Sequence, residues 1–329
     1  LVVDAVNACA EIRVRAAVDL PSGLGDLSDS ASFRADFTYA TGILKEPVTH
    51  HEWIEKVGRI RFLDLDFFRV RPDIGGEFCI LKSDILYRLA SLRETYTDKR
   101  RYGHLAIFAG SAKMPGACLL STLGAANSGV GLVTVGTVES VAAAGTVVAP
   151  EAMWAGCATP DGFLGVGVLD EVAARADGFT ALLAGPGMGR SPEVRELVAK
   201  LILEFDRPLI LDADALVDGL ADLLQRRPED FAPVILTPHL GEWKRIGGET
   251  MQGTGGDALR KFCHEHRCIV VLKGPRTKIA SADRVLLSPF GGPVLARGGT
   301  GDILSGLIGS LAAQHPDELL EACATGTVW

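Results

Sequence analysis

Aromatic residues, long basic runs and a regular cysteine framework are scarce or missing in this sequence of 329 residues. Aromatic residues make up 6% of the chain, and the formal net charge is -8. An acidic chain without runs of Lys or Arg is a poor candidate for binding nucleic acids or anionic membranes. Any bound phosphate must therefore be held by local backbone geometry and a few well-placed cations.

The seven cysteines are odd in number and do not follow the spacing of a disulfide framework. Free thiols and a reducing, cytoplasmic location are therefore expected. A signal peptide is not visible either. The uncharged stretch 117–138 is too rich in Gly, Ser and Thr for a membrane span, so we predict a buried helix followed by a buried strand there.

What the sequence does have is a 47% hydrophobic fraction, 38 Gly and 16 Pro, which indicate a packed core with many tight turns. The length favours one large domain and a smaller piece. Short strands are predicted at 14–20, 37–42 and 58–67, and segment 69–77 is the best linker candidate. We divide the chain into residues 1–72, a linker at 73–82 and residues 83–329, and expect both ends to be truncated.

From residue 104 onward, apolar runs of strand length alternate with stretches compatible with helices. Nearly continuous apolar strands are typical of a parallel sheet that is covered on both faces, so the predicted fold class is α/β. Ligand sites in such sheets lie beyond the carboxyl ends of the strands. Polar or glycine-rich segments follow the predicted strands at 110–111, 185–189, 212–214, 237–239 and 273–274.

The strongest motif is the glycine-rich segment 297–309, in which Gly298, Gly299, Thr300 and Gly301 precede an apolar helix. Converging backbone N–H groups and the positive end of the helix form an anion hole for a phosphoryl group. Asp302 is expected in the first turn of this helix. The bland alternative is a glycine-rich turn with an acidic cap, and we favour the functional interpretation.

A second motif lies at the end of a predicted strand that begins at Cys268 and runs into Lys273. It contains two cations and a hydroxyl group, in the order Lys273, Gly274, Pro275, Arg276 and Thr277. Taken alone, this segment is equally compatible with a solvated hairpin turn and with a contact to nucleotide phosphates. Beside the anion hole, we favour the nucleotide contact.

A third motif joins a strand to a helix at residues 237–242. Thr237 is expected to cap the helix, with Pro238 at its first position. His239 is a ligand candidate at the mouth of the sheet, although a lone histidine is more often structural. Glu242 is expected either to orient a metal–phosphate group or to complete the capping arrangement.

Three further segments are weaker. The turn Gly185–Gly189 admits close approach of a ligand but lacks the dinucleotide-binding fingerprint. Asp212 and Asp214 are interpreted as structural or supporting residues. The run Cys263–Cys268 contains two Cys and two His, but adjacent residues do not share a helix face, so we do not expect a zinc site.

In chain order, these motifs resemble the ATP/ADP-dependent NAD(P)H-hydrate dehydratases. The resemblance implies a ribokinase-like three-layer αβα fold over residues 83–329. It also implies that the protein restores a hydrated nicotinamide ring to NAD(P)H, with ADP or ATP as co-substrate and Mg²⁺ as cofactor. The segments that carry the resemblance are Gly103–Ala117, Gly129–Val135, Gly185–Gly189, Leu211–Leu216, Thr237–His239, Leu272–Gly274 and Gly299–Asp302.

The same resemblance assigns roles to individual residues. Asp302 is expected to be the catalytic base and a substrate contact. The other expected substrate-binding residues are Ala117, Gly187, Gly189 and His239. The expected nucleotide-binding residues are Lys273, Gly274, Pro275, Arg276, Thr277, Gly299, Thr300 and Gly301.

The first part of the chain resembles the second half of an NAD(P)H-hydrate epimerase, which implies a partial Rossmann-like α/β domain. By this resemblance, Asp4 and Ser22 are potassium ligands and Asp19 is a substrate contact. The first half of that domain is absent and residues 7–10 depart from the family pattern, so we do not expect a working epimerase site. The matching segments are Val2–Ala5, Ala17–Leu24 and Ala35–Thr38.

Two other functions stay open from the sequence. One is a small-molecule kinase of the same fold that phosphorylates a vitamin-type alcohol with the same Gly-Thr-Gly-Asp loop. The other is a nucleotide-binding module without turnover. The expected partners are small molecules and copies of the same chain. The sequence does not separate ADP from ATP, or NADH hydrate from NADPH hydrate.

Overall fold

The computed structural model describes residues 2–25, 31–66, 78–90, 92–159, 161–251 and 253–329. The described residues up to 66 are called the N-terminal block, and those from 78 onward the main block. The elements of the N-terminal block are α1 (Val2–Ala8), β1 (Ala16–Val18), β2 (Phe37–Thr41), 3₁₀ turns at Glu46–Thr49 and His51–Trp53, α2 (Ile54–Val57) and β3 (Arg59–Leu63).

The main block alternates strands and helices over most of its length. It begins with β4 (Phe78–Ile80), a 3₁₀ helix (Ser83–Ala90), a 3₁₀ turn (Lys99–Tyr102), β5 (His104–Phe108), α3 (Pro115–Ala126), β6 (Leu132–Val138), α4 (Glu139–Val148), β7 (Met153–Cys157), α5 (Val168–Ala173), β8 (Ala181–Ala184) and α6 (Pro192–Glu204). It continues with β9 (Leu209–Leu211), a 3₁₀ turn (Ala213–Ala215), α7 (Leu220–Gln225), β10 (Val234–Leu236), α8 (Leu240–Arg245), α9 (Gly256–His266), β11 (Cys268–Leu272), β12 (Lys278–Ala280), β13 (Val285–Leu287), a 3₁₀ turn (Pro293–Leu295), α10 (Thr300–Gln314) and α11 (Leu319–Val328).

In the described part of the chain, two sheets form. The N-terminal block holds a three-stranded parallel sheet in the order β1-β2-β3. The main block holds ten strands in the order β4-β13-β12-β11-β10-β9-β8-β5-β6-β7. Strand β12 pairs antiparallel with both of its neighbours, and the other pairs are parallel. The predicted α/β class with a mainly parallel sheet is confirmed.

The central strands of the large sheet are buried on both faces. Every residue of β5, β8, β9, β10 and β11 is buried, so helices must cover both sides of the sheet. This burial explains why the apolar runs predicted these strands. The buried helix and buried strand expected within 117–138 are present as α3 and β6. None of the helices in the described residues is long and apolar enough to cross a membrane.

The sequence predicted the three strands of the N-terminal block but not four short strands of the main block, β4, β7, β12 and β13. Part of the proposed linker, residues 73–77, lies outside the described residues. The next residues form β4, which pairs in parallel with β13 at the edge of the large sheet. The predicted helix beginning at Ser83 is a 3₁₀ helix.

Helices α3 and α10 pack so closely that small residues are required between them. A Cβ on Gly306 would lie 2.1 Å from the carbonyl oxygen of Ser121, and a Cβ on Gly124 would lie 2.6 Å from that of Ile303. Side chains at these positions would push the helices apart. This contact fixes the axis of α10, and with it the direction in which the first turn of α10 faces the sheet.

Candidate active site

The first turn of α10 follows the glycine-rich loop at the carboxyl edge of the large sheet. Gly299 is the N-cap residue, with a φ of +88°, and a Cβ there would lie 2.4 Å from Leu120 Cδ1. A side chain at Gly299 is therefore disfavoured by backbone strain, and it would also require the Leu120 side chain to move. The Ile303 N–H donates to the Gly299 carbonyl at 3.1 Å. The earlier amides of the helix point out of its N-terminus, as an anion site requires.

The Thr300 hydroxyl stabilises the loop itself. Its Oγ1 donates towards the carbonyl oxygens of Leu295 and Arg297, at 3.0 and 3.1 Å. Because this hydroxyl is engaged by the loop, the backbone amides are the groups that this turn offers to an anion. The arrangement agrees with the expected anion hole.

Lys273 lies next to this turn and is bound to a buried carboxylate. Its Nζ is 2.7 Å from Asp212 Oδ1, which also accepts a hydrogen bond of 2.6 Å from Thr237 Oγ1. A Cβ on Gly301 would lie 3.4 Å from the same Nζ. The structure therefore brings together the ammonium group of one predicted motif and the helix start of the other.

Asp302 lies in the first turn of α10 and is partly buried. Its pKa is raised from 3.8 to about 6, mainly by burial and then by the negative charges of Asp212 and Asp214, while the positive charge of Lys273 acts in the opposite direction. The net rise means that desolvation outweighs the attraction of the nearby ammonium group. A carboxylate with a pKa near 6 is a stronger base than an ordinary aspartate and is still ionised at neutral pH.

The predicted substrate-binding glycines lie in a turn with positive φ angles. Gly187 contacts Ala117 so closely that a Cβ on Gly187 would lie 2.8 Å from the Ala117 Cβ. The Gly189 N–H donates to Asp214 Oδ2 at 2.9 Å, and Arg190 Nε is 3.4 Å from the other oxygen of that carboxylate. Two of the predicted substrate positions are thus adjacent, and the third is held by the carboxylate of Asp214.

The prediction that Thr237 caps α8 is wrong. The N-cap residue is His239, whose Nδ1 accepts from the N–H groups of Gly241 and Glu242, at 3.0 and 3.2 Å. Glu242 completes a capping box, because its Oε2 accepts from the His239 N–H at 2.8 Å. The capping alternative for Glu242 is therefore realised. Thr237 instead donates to Asp212.

His239 still lies at the edge of the site. Its backbone pairs with that of Lys273, and the Lys273 N–H donates to the Pro238 carbonyl at 2.8 Å. The His239 side chain is 61% exposed although Nδ1 is used in the cap. The remaining ring nitrogen, Nε2, is 3.5 Å from Glu242 Oε1.

The nucleotide segment forms a β-hairpin, and its members do not all face the anion hole. Between β11 and β12, Arg276 turns towards the N-terminal block and is buried. Its Nη1 donates to the carbonyls of Val48, at 2.5 Å, and His50, at 3.2 Å. Burial lowers its pKa to about 10. Thr277 Oγ1 donates to the Gly274 carbonyl at 3.3 Å, which closes the turn.

The described side chains also show whether the protein could hold a metal ion by itself. Among the residues that the structure describes, no group of three or more His, Cys, Asp or Glu side chains is arranged to hold a metal ion by itself. In the run Cys263–Cys268, Cys263, His266 and Cys268 are buried, and the Cys263 thiol donates to the Ala280 carbonyl. The described residues therefore do not supply a complete set of metal ligands by themselves.

The N-terminal block contains three of the predicted residues, of which Asp19 and Ser22 follow β1 in the chain. Asp19 has a φ of +65°, and its Oδ1 accepts from Thr41 and lies 3.0 Å from Lys45 Nζ. Its hydrogen bonds to the Thr41 hydroxyl and to Lys45 lower its pKa. Asp4 lies in α1, and the Ser22 carbonyl accepts from the Phe33 N–H at 2.8 Å.

Asp212 and Asp214 make the kind of supporting contacts that the sequence indicated, whereas Thr237 was not predicted as a partner of Asp212. The spacing Asp-Ala-Asp directly after an apolar strand was the available signal. Between the two carboxylates, Ala213 has a φ of +49°, and Arg245 donates to the carbonyls of Ala213 and Leu216. The two aspartates therefore bind different parts of the site: Asp212 contacts Lys273, and Asp214 contacts Gly189.

The main block is similar to solved structures of ribokinase-like proteins. A ribokinase-like superfamily protein from Enterococcus faecalis superposes with a TM-score of 0.65 and 25% identity, over 78% of this chain and 87% of that one. The ADP/ATP-dependent NAD(P)H-hydrate dehydratase from Bacillus subtilis, co-crystallised with ATP and Mg²⁺, superposes with a TM-score of 0.59 and 33% identity, over 72% and 81% of the chains. The main block is a ribokinase-like α/β protein, and the predicted ribokinase-like fold is confirmed.

Sequence comparison then gives the family. The family described as NAD(P)H-hydrate dehydratase matches residues 105–329. The chain therefore belongs to the NAD(P)H-hydrate dehydratase family, as the motifs predicted. The bifunctional NAD(P)H-hydrate repair enzyme Nnr from Gloeobacter violaceus is 34% identical over 95% of this chain, which spans 62% of that relative's length.

Proposed function

We propose that this protein converts the hydrated nicotinamide ring of NADH or NADPH, in its S form, back to the intact cofactor at the expense of ATP or ADP. The supporting observation is that Asp302, Lys273 and the first amides of α10 converge at one edge of the large sheet. Membership of the dehydratase family supports the same activity. Hydroxide is a poor leaving group, and phosphorylation of the ring hydroxyl overcomes this difficulty.

In the first step, the Asp302 carboxylate accepts the proton of the ring hydroxyl, and the hydroxyl oxygen attacks the terminal phosphorus of the nucleotide. The bond from that phosphorus to its bridging oxygen breaks, which releases ADP from ATP or AMP from ADP. The amides of Gly299, Thr300 and Gly301 and the Lys273 ammonium group stabilise the charge on the transferred phosphoryl group.

In the second step, the carbon–oxygen bond breaks as the lone pair of the ring nitrogen moves into the ring and phosphate leaves. Loss of a proton from the adjacent ring carbon then restores NADH or NADPH. Ala117, Gly187, Gly189 and His239 bind the ring in this proposal. The two glycines suit that role because the absence of side chains lets the ring approach the backbone.

The nucleotide is proposed to lie along the segment Lys273–Thr277 and the start of α10. Mg²⁺ enters with the nucleotide and neutralises part of its phosphate charge. Within this segment, the Lys273 ammonium group lies against the first turn of α10. Arg276 contributes through the N-terminal block, since its guanidinium group binds Val48 and His50.

The test is turnover of NADH hydrate by the full chain with Mg-ATP or Mg-ADP, followed by the appearance of NADH absorbance. NADH formation that requires the nucleotide and yields one phosphate per NADH is expected. Product without nucleotide consumption, or binding without product, would contradict the proposal. A phosphorylated vitamin-type alcohol in place of NADH would select the kinase alternative.

The pH dependence of the reaction gives a second test. Because the pKa of Asp302 is about 6, kcat/KM is expected to fall about tenfold for each pH unit below that value. A flat profile down to about pH 5 would contradict the assignment of Asp302 as the base.

We further propose that residues 1–72 are the rear part of an epimerase-like domain, 73–82 a linker and 83–329 the dehydratase domain. Asp4 and Ser22 are the proposed potassium ligands, and Asp19 the substrate contact of that remnant. The strained φ angle of Asp19 and its contacts with Thr41 and Lys45 support a former or present site there.

Self-association of the chain and a cytoplasmic location are proposed as well, and the seven free cysteines support a reducing compartment.

A further inference from the structure

Asp212 is a buried carboxylate that the proposed reaction does not use directly. It follows β9 and is 1% exposed. Burial of an ionised carboxylate is costly unless it is paired and hydrogen-bonded. Both conditions are met, because Oδ1 lies 2.7 Å from Lys273 Nζ and 2.6 Å from Thr237 Oγ1.

These two contacts fix one end of a flexible side chain. A lysine carries its charge on a four-carbon stem with many rotamers, so its ammonium group needs a partner to stay in one place. The backbone of Lys273 is already fixed by its hydrogen bond to Pro238. With both ends held, Nζ lies against the first turn of α10, where a Cβ on Gly301 would be 3.4 Å away.

A second carboxylate competes for the same ammonium group. Asp302 lies within electrostatic range of Lys273, which lowers its pKa, while Asp212 and Asp214 raise it. If Lys273 paired fully with Asp302, the base would be neutralised by an ion pair and would lose basicity. Retention of Lys273 by Asp212 leaves Asp302 free to accept a proton.

We propose that Asp212 is a positioning residue, which holds the Lys273 ammonium group at the start of α10 and keeps it from pairing with Asp302. This inference rests on the proposed function for its meaning in the reaction. The contact between Asp212 and Lys273 does not depend on that function. Asp212 thereby controls two properties with one contact, the affinity for nucleotide phosphates and the basicity of the site.

The first experiment measures Mg-ATP binding to the full chain by calorimetry in a double-mutant cycle. Asp212→Asn is expected to weaken ATP binding about tenfold, and Lys273→Met to weaken it by a similar factor. In the Lys273→Met background, Asp212→Asn is expected to change ATP affinity by less than about twofold. If the loss of ATP affinity in the double variant equals the product of the losses in the two single variants, the proposal is overturned. That result would mean that Asp212 does not act through Lys273.

The second experiment measures the pH profile of NADH-hydrate turnover. Asp212→Asn is expected to shift the acid limb about one pH unit lower, because the site loses a negative charge and Lys273 becomes free to approach Asp302. Asp212→Glu is expected to restore part of the ATP affinity. Asp214→Asn is the matched control, since it removes a charge that also faces Asp302 but does not contact Lys273. It is expected to shift the acid limb without weakening ATP binding.

An unchanged acid limb in Asp212→Asn, or equal loss of ATP affinity in Asp214→Asn, would overturn the positioning role. If Asp212→Asn alone does not fold, the double variant with Lys273→Met removes both charges of the buried pair and is compared with Lys273→Met alone. Absence of NADH formation by the wild-type protein would refute the proposed function, whereas the ATP-binding cycle would still test the coupling of Asp212 and Lys273.

Discussion

Replacement of Asp302 by asparagine is expected to abolish turnover and, at neutral pH, to increase the stability of the protein. The pKa of this carboxyl group is raised from 3.8 to about 6 in the folded state. A carboxylate at the start of a helix is normally favourable by about 0.3–1 kcal/mol. The net rise shows that burial and the neighbouring aspartates outweigh this benefit.

The magnitude follows from the size of the shift. About two pKa units correspond to at most about 3 kcal/mol, and partial solvent exposure of Asp302 reduces this to about 1 kcal/mol. Since the folded-state pKa is the higher one, the ionised carboxylate destabilises the folded protein above about pH 6 and costs nothing below about pH 4, where the group is neutral in both states. The gain in unfolding free energy of Asp302→Asn over the wild type must therefore grow from about pH 4 to about pH 6 and stay constant above about pH 6.

Urea unfolding of both proteins at about pH 5 and about pH 8 measures this difference. Asp283→Asn, in the exposed turn of the β12–β13 hairpin, is the matched control and should show no pH-dependent gain. At about pH 8, the Asp302→Asn variant should also turn over NADH hydrate at least about 100-fold more slowly. A variant that is less stable than the wild type at about pH 8, or whose gain is the same at both pH values, would refute the reasoning.

Three other changes have defined outcomes. Gly185→Ala is expected to destabilise the protein by about 3 kcal/mol or more in urea unfolding, because its Cβ would lie 1.8 Å from the Asp212 carbonyl oxygen. Arg276→Met is expected to cost about 2–4 kcal/mol, because it loses a buried hydrogen bond to Val48 and a partly buried one to His50, with a smaller effect on ATP affinity than Lys273→Met. The Cys118 thiol, whose pKa is raised to about 12 by burial, is expected to resist alkylation of the native protein in mass spectrometry.

Each of these predictions has a control within the chain. Gly178→Ala also places a Cβ at positive φ but meets nothing within 4 Å, so it should cost only about 1–2 kcal/mol. Cys79 is exposed and should react with the same reagent. Equal costs for the two glycines, rapid alkylation of Cys118, or an equal loss of ATP affinity in the Arg276 and Lys273 variants would contradict the corresponding argument.

Local patterns predicted the parts of the fold whose determinants are themselves local. The apolar runs from residue 104 onward marked the central strands because both faces of those strands are covered. The start of α10 was recognisable because Gly299 and Asp302 lie within one turn. Strands β4, β12 and β13 are only three residues long and were missed. Their identity depends on pairing, as Lys278 shows: it begins a buried strand, and its ammonium group donates to the Thr254 carbonyl.

The hydrogen-bond partners of side chains were less predictable, because many of these partners lie in distant segments of the chain. Thr237 and Pro238 are both favourable at the start of a helix. In the structure, however, the His239 imidazole accepts the hydrogen bonds of the first helical N–H groups, and the Thr237 hydroxyl donates to Asp212. Arg276 is predicted to contact the nucleotide, and the sequence pattern did not indicate that its guanidinium group also donates to the Val48 carbonyl. No spacing rule connects positions so far apart in the chain.

The pairing of β4 with β13 also has a consequence for the order of synthesis. Strand β4 leaves the ribosome before the other described strands of the large sheet, but its partner β13 begins only at Val285. Contacts of such large sequence separation form late and slow folding. Until then, β4 is an unpaired strand tethered to the N-terminal block, and an unpaired strand invites aggregation. We expect premature termination before residue 285 to yield an aggregation-prone product even though most of the sheet has already been translated.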